Sequence, residues 1–237
     1  MSQVKPKRVL LKLTGELFGD DNGKSINFSS INSIASEITK IWRKNKIDLA
    51  IVVGGGNIFR GRERQSAVDE ATADYMGMLA TVINGLALQE ALERQGAPTR
   101  MMTAFEITSV AEPYIRRRAI RHLEKGRIVI FTAGVGSPFF TTDSGAALRA
   151  IEIKCDLILK ATNVDGVFSD DPKKNPKAKL YKKLSYQEAL EKGLNVMDAT
   201  SFALCMRHKM PIVVFNINKL TSLNKIIQGS GFGTLIS

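Results

Sequence analysis

An α/β fold with a largely parallel sheet covered on both sides is predicted by three observations. Short, β-branched apolar runs alternate with longer segments of helical period along the chain. Such alternation marks βα units, whose crossovers lay helices on both faces of a parallel sheet. Glycine-rich or aspartate-rich segments directly follow several strand candidates, and ligands in such sheets bind at the carboxyl ends of strands. The 237 residues suffice for one domain, 1–237, with one sizeable core or two small lobes sharing a sheet.

The elements follow in order. Arg8–Leu13 is a short apolar strand. Ile31–Arg43 has helical period, with Ile31, Ile34, Ile38 and Ile41 on one face. Asp48–Val53 is a buried strand that ends in three glycines. Asp74–Gln95 is a long helix in which Met76, Leu79, Ile83 and Leu86 form one stripe, while Met78, Val82 and Leu88 populate other faces. A helix apolar on several faces is either deeply buried or packed against another subunit. Gly77 and Gly85 within it point to close helix contact. Arg127–Thr132 is a strand, Thr142–Ile151 a helix and Asp156–Lys160 a strand. A polar loop, Ala161–Ala178, comes next. Ser185–Lys192 is helical, with Ser185 and Glu188 at capping-box spacing. Asp198–His208 is a helix, Ile212–Phe215 a strand and Leu220–Ile227 a last helix.

Composition excludes more than it assigns. An apolar fraction of 44% and a charged fraction of 24% are those of an ordinary globular chain, not a disordered one. The basic start of the chain turns apolar only briefly before Lys12, without a signal-peptide cleavage site, and no run approaches a spanning length. A cytoplasmic protein with no membrane partner is expected. Cys155 and Cys205 form no disulfide framework or metal motif and read as reduced, buried thiols. The net charge of +11 suits nucleic acid or small anionic substrates. The basic residues are scattered, at Arg60–Arg64, Arg116–Arg118 and Lys173–Lys183, without interleaved aromatics, so nucleic acid is the weaker reading. His122 and His208 are expected on the surface, and no GxSxG, HExxH or GxGxxG element is present.

Four segments carry chemistry. In KLTGE, Lys12–Glu16, a lysine leaves a strand beside a glycine turn and can meet a phosphate. In GGGNIFRG, Gly54–Gly61, three glycines exceed what one turn needs and can build a nest of backbone donors, to which Arg60 adds a fork-shaped cation. In AGVGSPFFTTDSGA, Ala133–Ala146, Thr141 and Thr142 stand at a helix start that favours anions. Phe139 and Phe140 are placed to wall a pocket there, and Asp143 serves equally as a helix cap. In KATNVDGVFSDDP, Lys160–Pro172, Asp165, Asp170 and Asp171 suit Mg²⁺ or adenosine hydroxyls, Phe168 a purine face, and Lys160 a transferring phosphate. The regular acidic ligands of an EF-hand are missing. GDDNGKS, Gly19–Ser25, imitates a Walker A loop, but Phe18 stands where its first glycine belongs, which excludes a P-loop.

Taken in order, KLTGE, GGGNIFRG, DYMGMLATVINGLAL, GSPFFTTD, LKATNVDGVFSDDP and VMDATSF resemble the bacterial UMP kinases of the amino acid kinase family, over about Lys7 to Leu235. The resemblance implies a three-layer αβα sandwich, a homohexamer and Mg²⁺-ATP as phosphoryl donor. It implies a UMP-binding part at roughly 1–150 and an ATP-binding part at roughly 151–237. Lys12, Leu13, Thr14 and Gly15 would meet ATP phosphates, Gly56 and Arg60 the phosphate region between both nucleotides, and Thr162, Asn163, Phe168 and Asp171 the adenosine end of ATP. Gly55 and Asp74 would bind UMP, with Asp74 on the ribose. Val135, Gly136, Ser137, Pro138, Phe139, Phe140, Thr141 and Thr142 would wrap it. Lys12, Arg60, Asp143, Lys160 and Asp198 would carry catalysis. No direct metal ligand is assigned. Family members commonly have Thr and Asn where this chain has Val135 and Ser137, so uracil discrimination would rest more on backbone groups. Asp20–Ser25 aligns with a region tied to GTP activation in some members; GTP and UTP are candidate effectors.

The chemistry expected is direct in-line transfer, in which positioning and charge neutralisation replace a general base. Two alternatives stand beside it: a family relative acting on a carboxylate or carbamate, and a nucleotide-sensing or nucleic-acid-binding regulator without turnover.

Overall fold

The structure, a computed structural model, describes residues 5–20, 22–60, 68–172, 174–194, 196–219, 222–229 and 231–237. Gly61 of the second segment, Arg62 and Arg64 of the basic run, Asp21 of the GDDNGKS segment, Lys173 and Leu220 lie outside the described residues.

The strands are β1 (Arg8–Leu13), β2 (Asp48–Val53), β3 (Thr99–Thr103), β4 (Glu112–Pro113), β5 (Ile128–Thr132), β6 (Leu157–Thr162), β7 (Lys183–Leu184), β8 (Ile212–Asn216) and β9 (Thr234–Ile236). They form one sheet in the order β4-β3-β5-β2-β1-β6-β8-β9-β7, in which β8 and β9 pair antiparallel and the other neighbours run parallel. The helices are α1 (Phe28–Asn45), α2 (Glu70–Arg94), α3 (Arg116–Glu124), α4 (Thr142–Glu152), α5 (Tyr186–Glu191), α6 (Ala199–Arg207) and α7 (Ser222–Ile227). The predicted elements are all present, with ends displaced by a few residues. The short strands β3, β4, β7 and β9 are additions. With two to five residues each, they are too short, or in β3 too irregular, for a period of two to stand out.

Side chains alternate across each strand and split the interior in two. Val9, Leu11 and Leu13 of β1, with Leu49, Ile51 and Val53 of β2, pack with Ile31 and Ile38 of α1, Val82 and Leu88 of α2, and Leu223 of α7. On the other face, Leu10, Ala50, Val52 and Ile158 pack with Leu123 of α3, Ala146 and Ala150 of α4, Ala189 of α5 and Phe202 of α6. The result is a three-layer αβα sandwich.

The capping box of α5 forms as its spacing foretells, with Ser185 Oγ accepting from Glu188 N and Glu188 Oε2 accepting from Ser185 N. In α2, Met78, Val82 and Leu88 turn inward, whereas Met76, Leu79, Ile83 and Leu86 remain exposed. Gly85 is where α2 meets the sheet: an added Cβ would lie 2.4 Å from Thr132 Cγ2 and 2.7 Å from Met101 Sδ. Gly77 has open space instead. Both cysteines are buried, and burial pushes the Cys205 thiol up to about 12, so neither is poised as a nucleophile. Among the described residues, no helix is long and apolar enough to cross a membrane.

His122 corrects an expectation. It is buried, because it shares the inner face of α3 with Ala119 and Leu123 at helical spacing. Its Nε2 lies 3.1 Å from Glu112 Oε2 and its Nδ1 3.0 Å from Arg127. His208, at the end of α6, is exposed as expected.

Candidate active site

β1 has β2 on one side and β6 on the other, so the chain reverses its direction of sheet growth between β1 and β6. Such a switch point opens a crevice at the strand ends. Lys12 and Lys160 are register partners across it. Each continues the alternation that sends Leu10 and Ile158 toward the α4 layer, so both ammonium groups emerge on the same side. Asp143, in the first turn of α4, receives them: Lys12 Nζ lies 2.8 Å from Oδ1 and Lys160 Nζ 2.5 Å from Oδ2. Lys160 also donates to Val196 O at 2.6 Å. Burial pushes the Asp143 carboxyl up, but the two ammonium charges outweigh this and hold it below its ordinary range. Burial pushes Lys160 down, and Asp143 restores it only in part.

Two glycine turns meet beside this cluster. A Cβ on Gly15 would lie 2.4 Å from Gly56 N, so the KLTGE and GGGNIFRG turns touch through their backbones. Among the described residues, the amides of Gly55 and Gly56 donate to no protein acceptor. Gly55 and Gly56 line a cleft of about 430 Å³ together with Glu16, Arg60, Asp74, Thr81, Phe140 and Thr142. Arg60 is drawn over the turn by Nε donating to Gly56 O at 2.9 Å, and it pairs with Glu16 at 2.7 Å. Glu16 also accepts from Asn163 at 3.3 Å, which ties the first segment to the fourth.

Gly55 has no room for a side chain. An added Cβ would lie 2.7 Å from Gly77 O and 2.8 Å from Ala80 Cβ on α2. Gly55→Ala is expected to destabilise the fold by about 1–3 kcal/mol through overpacking. A thermal unfolding scan checks it, at about 2–4 °C per kcal/mol for a chain of this size. An unchanged midpoint would contradict the close approach of loop and helix.

The third segment wraps the start of α4. Thr141 caps it, its Oγ1 accepting from Asp143 N and Ser144 N. Thr141 Oγ1 and Ser144 Oγ donate to Asp198, which itself caps α6 by accepting from Ser201 N at 3.0 Å. Burial pushes the Asp198 carboxyl up, and these donors more than reverse it. Phe139 holds a positive φ of 70°, unusual for an aromatic residue. Its amide donates to Asp74 Oδ2 at 2.7 Å, which fixes that conformation. Phe139 and Phe140 stay exposed, at 71% and 50%.

The structure thus brings Lys12, Gly15, Gly55, Gly56, Arg60, Asp74, Phe140, Thr141, Thr142, Asp143, Lys160 and Asp198 around one crevice. Thr14 precedes the turn containing Gly15, and Leu13 is buried in the core, leaving only its backbone near the site. Val135, Gly136, Ser137, Pro138 and Phe139 belong to the same loop as Phe140 but do not line the cleft. Thr162 ends β6 and donates to Val164 O, with Asn163 reaching Glu16. Phe168 and Asp171 lie further along, outside the cleft. Asp165 accepts from Asn216, which ties the loop after β6 to the end of β8, and Asp170 accepts from Asn175 Nδ2 and Asp171 N within its own loop. Among the described residues, no group of three or more His, Cys, Asp or Glu side chains is placed to hold a metal ion. Sequence reasoning missed Glu16, Asn57, Thr81 and Asn84. The signal for the last two was available: a hydroxyl and an amide inside an apolar helix.

Comparison with known proteins agrees with this geometry. The model of the amino acid kinase family matches residues 7–216. The chain belongs to the amino acid kinase family. Among its relatives is a uridylate kinase of Methylococcus capsulatus, 52% identical over all of this chain and 99% of that protein. The chloroplastic uridylate kinase PUMPKIN of Arabidopsis thaliana is 54% identical over 98% of this chain and 69% of its own length. Among solved structures of this amino acid kinase fold, a UMP kinase from Bacillus anthracis superposes with a TM-score of 0.94 at 43% identity, covering 98% of this chain and 96% of that one.

Proposed function

We infer that the chain is a kinase that transfers the γ-phosphoryl group of ATP to UMP, giving UDP and ADP. The observation that carries the chemistry is the pair of register-matched lysines, Lys12 and Lys160, bridged by Asp143 beside two touching glycine turns. The full-length similarity to proteins named uridylate kinase and UMP kinase supports the acceptor.

The acceptor is a phosphate oxygen, largely ionised at neutral pH, so no general base is required. That oxygen attacks the γ-phosphorus, the bond to the β,γ-bridging oxygen breaks, and ADP leaves with the electron pair. Lys12 and Lys160 neutralise charge on the transferring group, and Asp143 fixes both. Arg60 and the Gly55 and Gly56 amides align the acceptor phosphate, which must take over Arg60 from Glu16. Asp74 holds the ribose, and the loop from Val135 to Thr142 encloses the base. Thr162, Asn163, Phe168 and Asp171 take the adenosine end of ATP. The UMP half then corresponds to roughly 1–150 and the ATP half to roughly 151–237. Asp198 holds Thr141 and Ser144 in place.

Mg²⁺ bound to ATP would supply further neutralisation of the β- and γ-phosphates. The donor set fits a cation that arrives on the phosphates, since both oxygens of Asp143 are already faced by lysines. Asp143 would hold the lysines that face those phosphates, and Asp198, whose charge acts on Lys160, would help to hold the cation. The exposed stripe Met76, Leu79, Ile83 and Leu86 supports a homo-oligomer built over α2, a hexamer on the family pattern. Two buried thiols suit a reducing compartment such as the cytoplasm.

An assay of ADP release with ATP and each of UMP, CMP, AMP, GMP and glutamate tests the reading. UMP is expected to give the highest kcat/KM. Turnover confined to glutamate, or none with any acceptor, would overturn it.

A further inference from the structure

We propose that Asn84 of α2 and Asn57 of the glycine turn form an amide clamp that positions the phosphate-binding backbone, making Asn84 a positioning residue for the transfer. The inference rests on the kinase reading above for its kinetic consequence, though not for its structural one.

Asn84 is fully buried, in a helix whose other buried side chains, Thr81 aside, are apolar. Its Nδ2 donates to Gly54 O at 2.8 Å and to Asn57 Oδ1 at 2.7 Å, which uses both hydrogens. Its Oδ1 accepts from Asn57 Nδ2 at 3.1 Å. The second hydrogen of Asn57 Nδ2 goes to Ser25 O at 2.7 Å, while Ser25 N donates to Asn57 O at 2.9 Å. Asn57 also packs on Gly15, where an added Cβ would lie 2.9 Å from Oδ1. Four chain segments therefore meet at one closed amide pair. The orientation of Asn84 is forced, because a flipped amide would set its oxygen against Gly54 O and Asn57 Oδ1.

The consequence lies between the two anchor points. Gly54 O and the Asn57 side chain are held by the same residue, and Gly55 and Gly56 are the two residues between them. A glycine run has maximal backbone freedom, so unclamped it would lose much of its donor alignment. Clamped from both ends, it presents the Gly55 and Gly56 amides, and Arg60 through Gly56 O, to the cleft in one geometry. An aspartate at 84 would place an acceptor where two donors are required. A leucine, the ordinary choice for a buried helix position, would leave Gly54 O and the Asn57 amide unpaired.

The test uses the full chain as wild type, Asn84→Ala, Asn57→Ala and the double variant, assayed well below their unfolding midpoints with UMP and ATP. Each single variant is expected to lose about tenfold or more in kcat/KM for UMP, because small displacements of aligned groups are costly. KM for ATP should stay within about threefold, the adenosine end being held elsewhere. The double variant should be little worse than either single, since the two amides act as a unit. Amide hydrogen exchange on the ligand-free proteins should quicken over 54–60 in each variant while β1 and β6 keep their protection. A variant that loses thermal stability but keeps wild-type kinetics and wild-type exchange over 54–60 would overturn the proposal. So would failure of both single variants to fold, which would make the pair a determinant of the fold alone. Should the wild type not phosphorylate UMP, the substrate reading falls, and the exchange measurement alone decides the clamp.

Discussion

Lys12→Ala is expected to lower kcat about a hundredfold or more, the loss seen when a preorganised charge is removed from a developing anion. The cluster holds two ammonium groups against one carboxylate, formally +1. Removing Lys12 brings it to zero, at the point where two anionic nucleotides must approach each other. Asp143 keeps Lys160 at 2.5 Å, so no carboxylate is stranded and the fold should survive the change. KM for UMP should move far less than kcat, because the Gly55 and Gly56 amides and Arg60 are untouched. Steady-state kinetics with both substrates varied, alongside a thermal scan, separates the two effects. Turnover close to wild type in a folded Lys12→Ala protein would remove this lysine from the mechanism.

Much of this arrangement could be read from residue types and their positions. A lysine at the end of an apolar run, three glycines after a β-branched strand and threonines before a helix each announce a place where anions are welcome. The pairing of those places could not. That Lys12 lies opposite Lys160 depends on β6 inserting beside β1 rather than extending the sheet beyond β4, a matter of strand order that no local pattern encodes. Asp143 read equally well as a helix cap, because a first-turn aspartate is favourable for its own reasons; in the fold Thr141 does the capping and the Asp143 carboxylate turns to the two lysines. His122 was misplaced to the surface by its arginine-rich neighbours, although its spacing from Ala119 marks the inner face of α3. Thr81 and Asn84 hid within an apolar helix. Thr81 Oγ1 accepts from Ala133 N at 2.7 Å and so holds the third segment, as Asn84 holds the second. The outer stripe of the same helix was legible as apolar, but only the fold distinguished it from the stripe that faces the sheet.

Asp143→Asn separates charge from position, and its expected effects on activity and stability are both large. The substitution raises the formal charge of the cluster from +1 to +2, since two ammonium groups remain with no carboxylate between them. If attraction of anions were all that mattered, the variant would be faster. The geometry requires the opposite: without the carboxylate the lysines repel each other and leave the line of transfer, so kcat should fall about a hundredfold or more. Stability should fall as well, by about 3 kcal/mol for stranding half-buried charges. For a chain of this size that is a drop in Tm on the order of 10 °C. The dependence on pH identifies the cause. In the wild type Asp143 titrates below its ordinary value of 3.8, so the stability it contributes is complete above that value and is lost as pH falls through the lower, folded one. At such acidity the protonated aspartic acid resembles asparagine, and the deficit of the variant should vanish. On the alkaline side, Lys160 already titrates below its ordinary 10.5 and loses in the variant the carboxylate that pulled it upward. Its folded value then falls further, the unfolded chain binds more protons up to that ordinary value, and the variant gains stability with rising pH faster than the wild type. The deficit should therefore be greatest near neutrality and shrink toward both extremes. Unfolding curves measured from acid to alkaline pH that run parallel for the two proteins would exclude Asp143 as the bridge between the lysines.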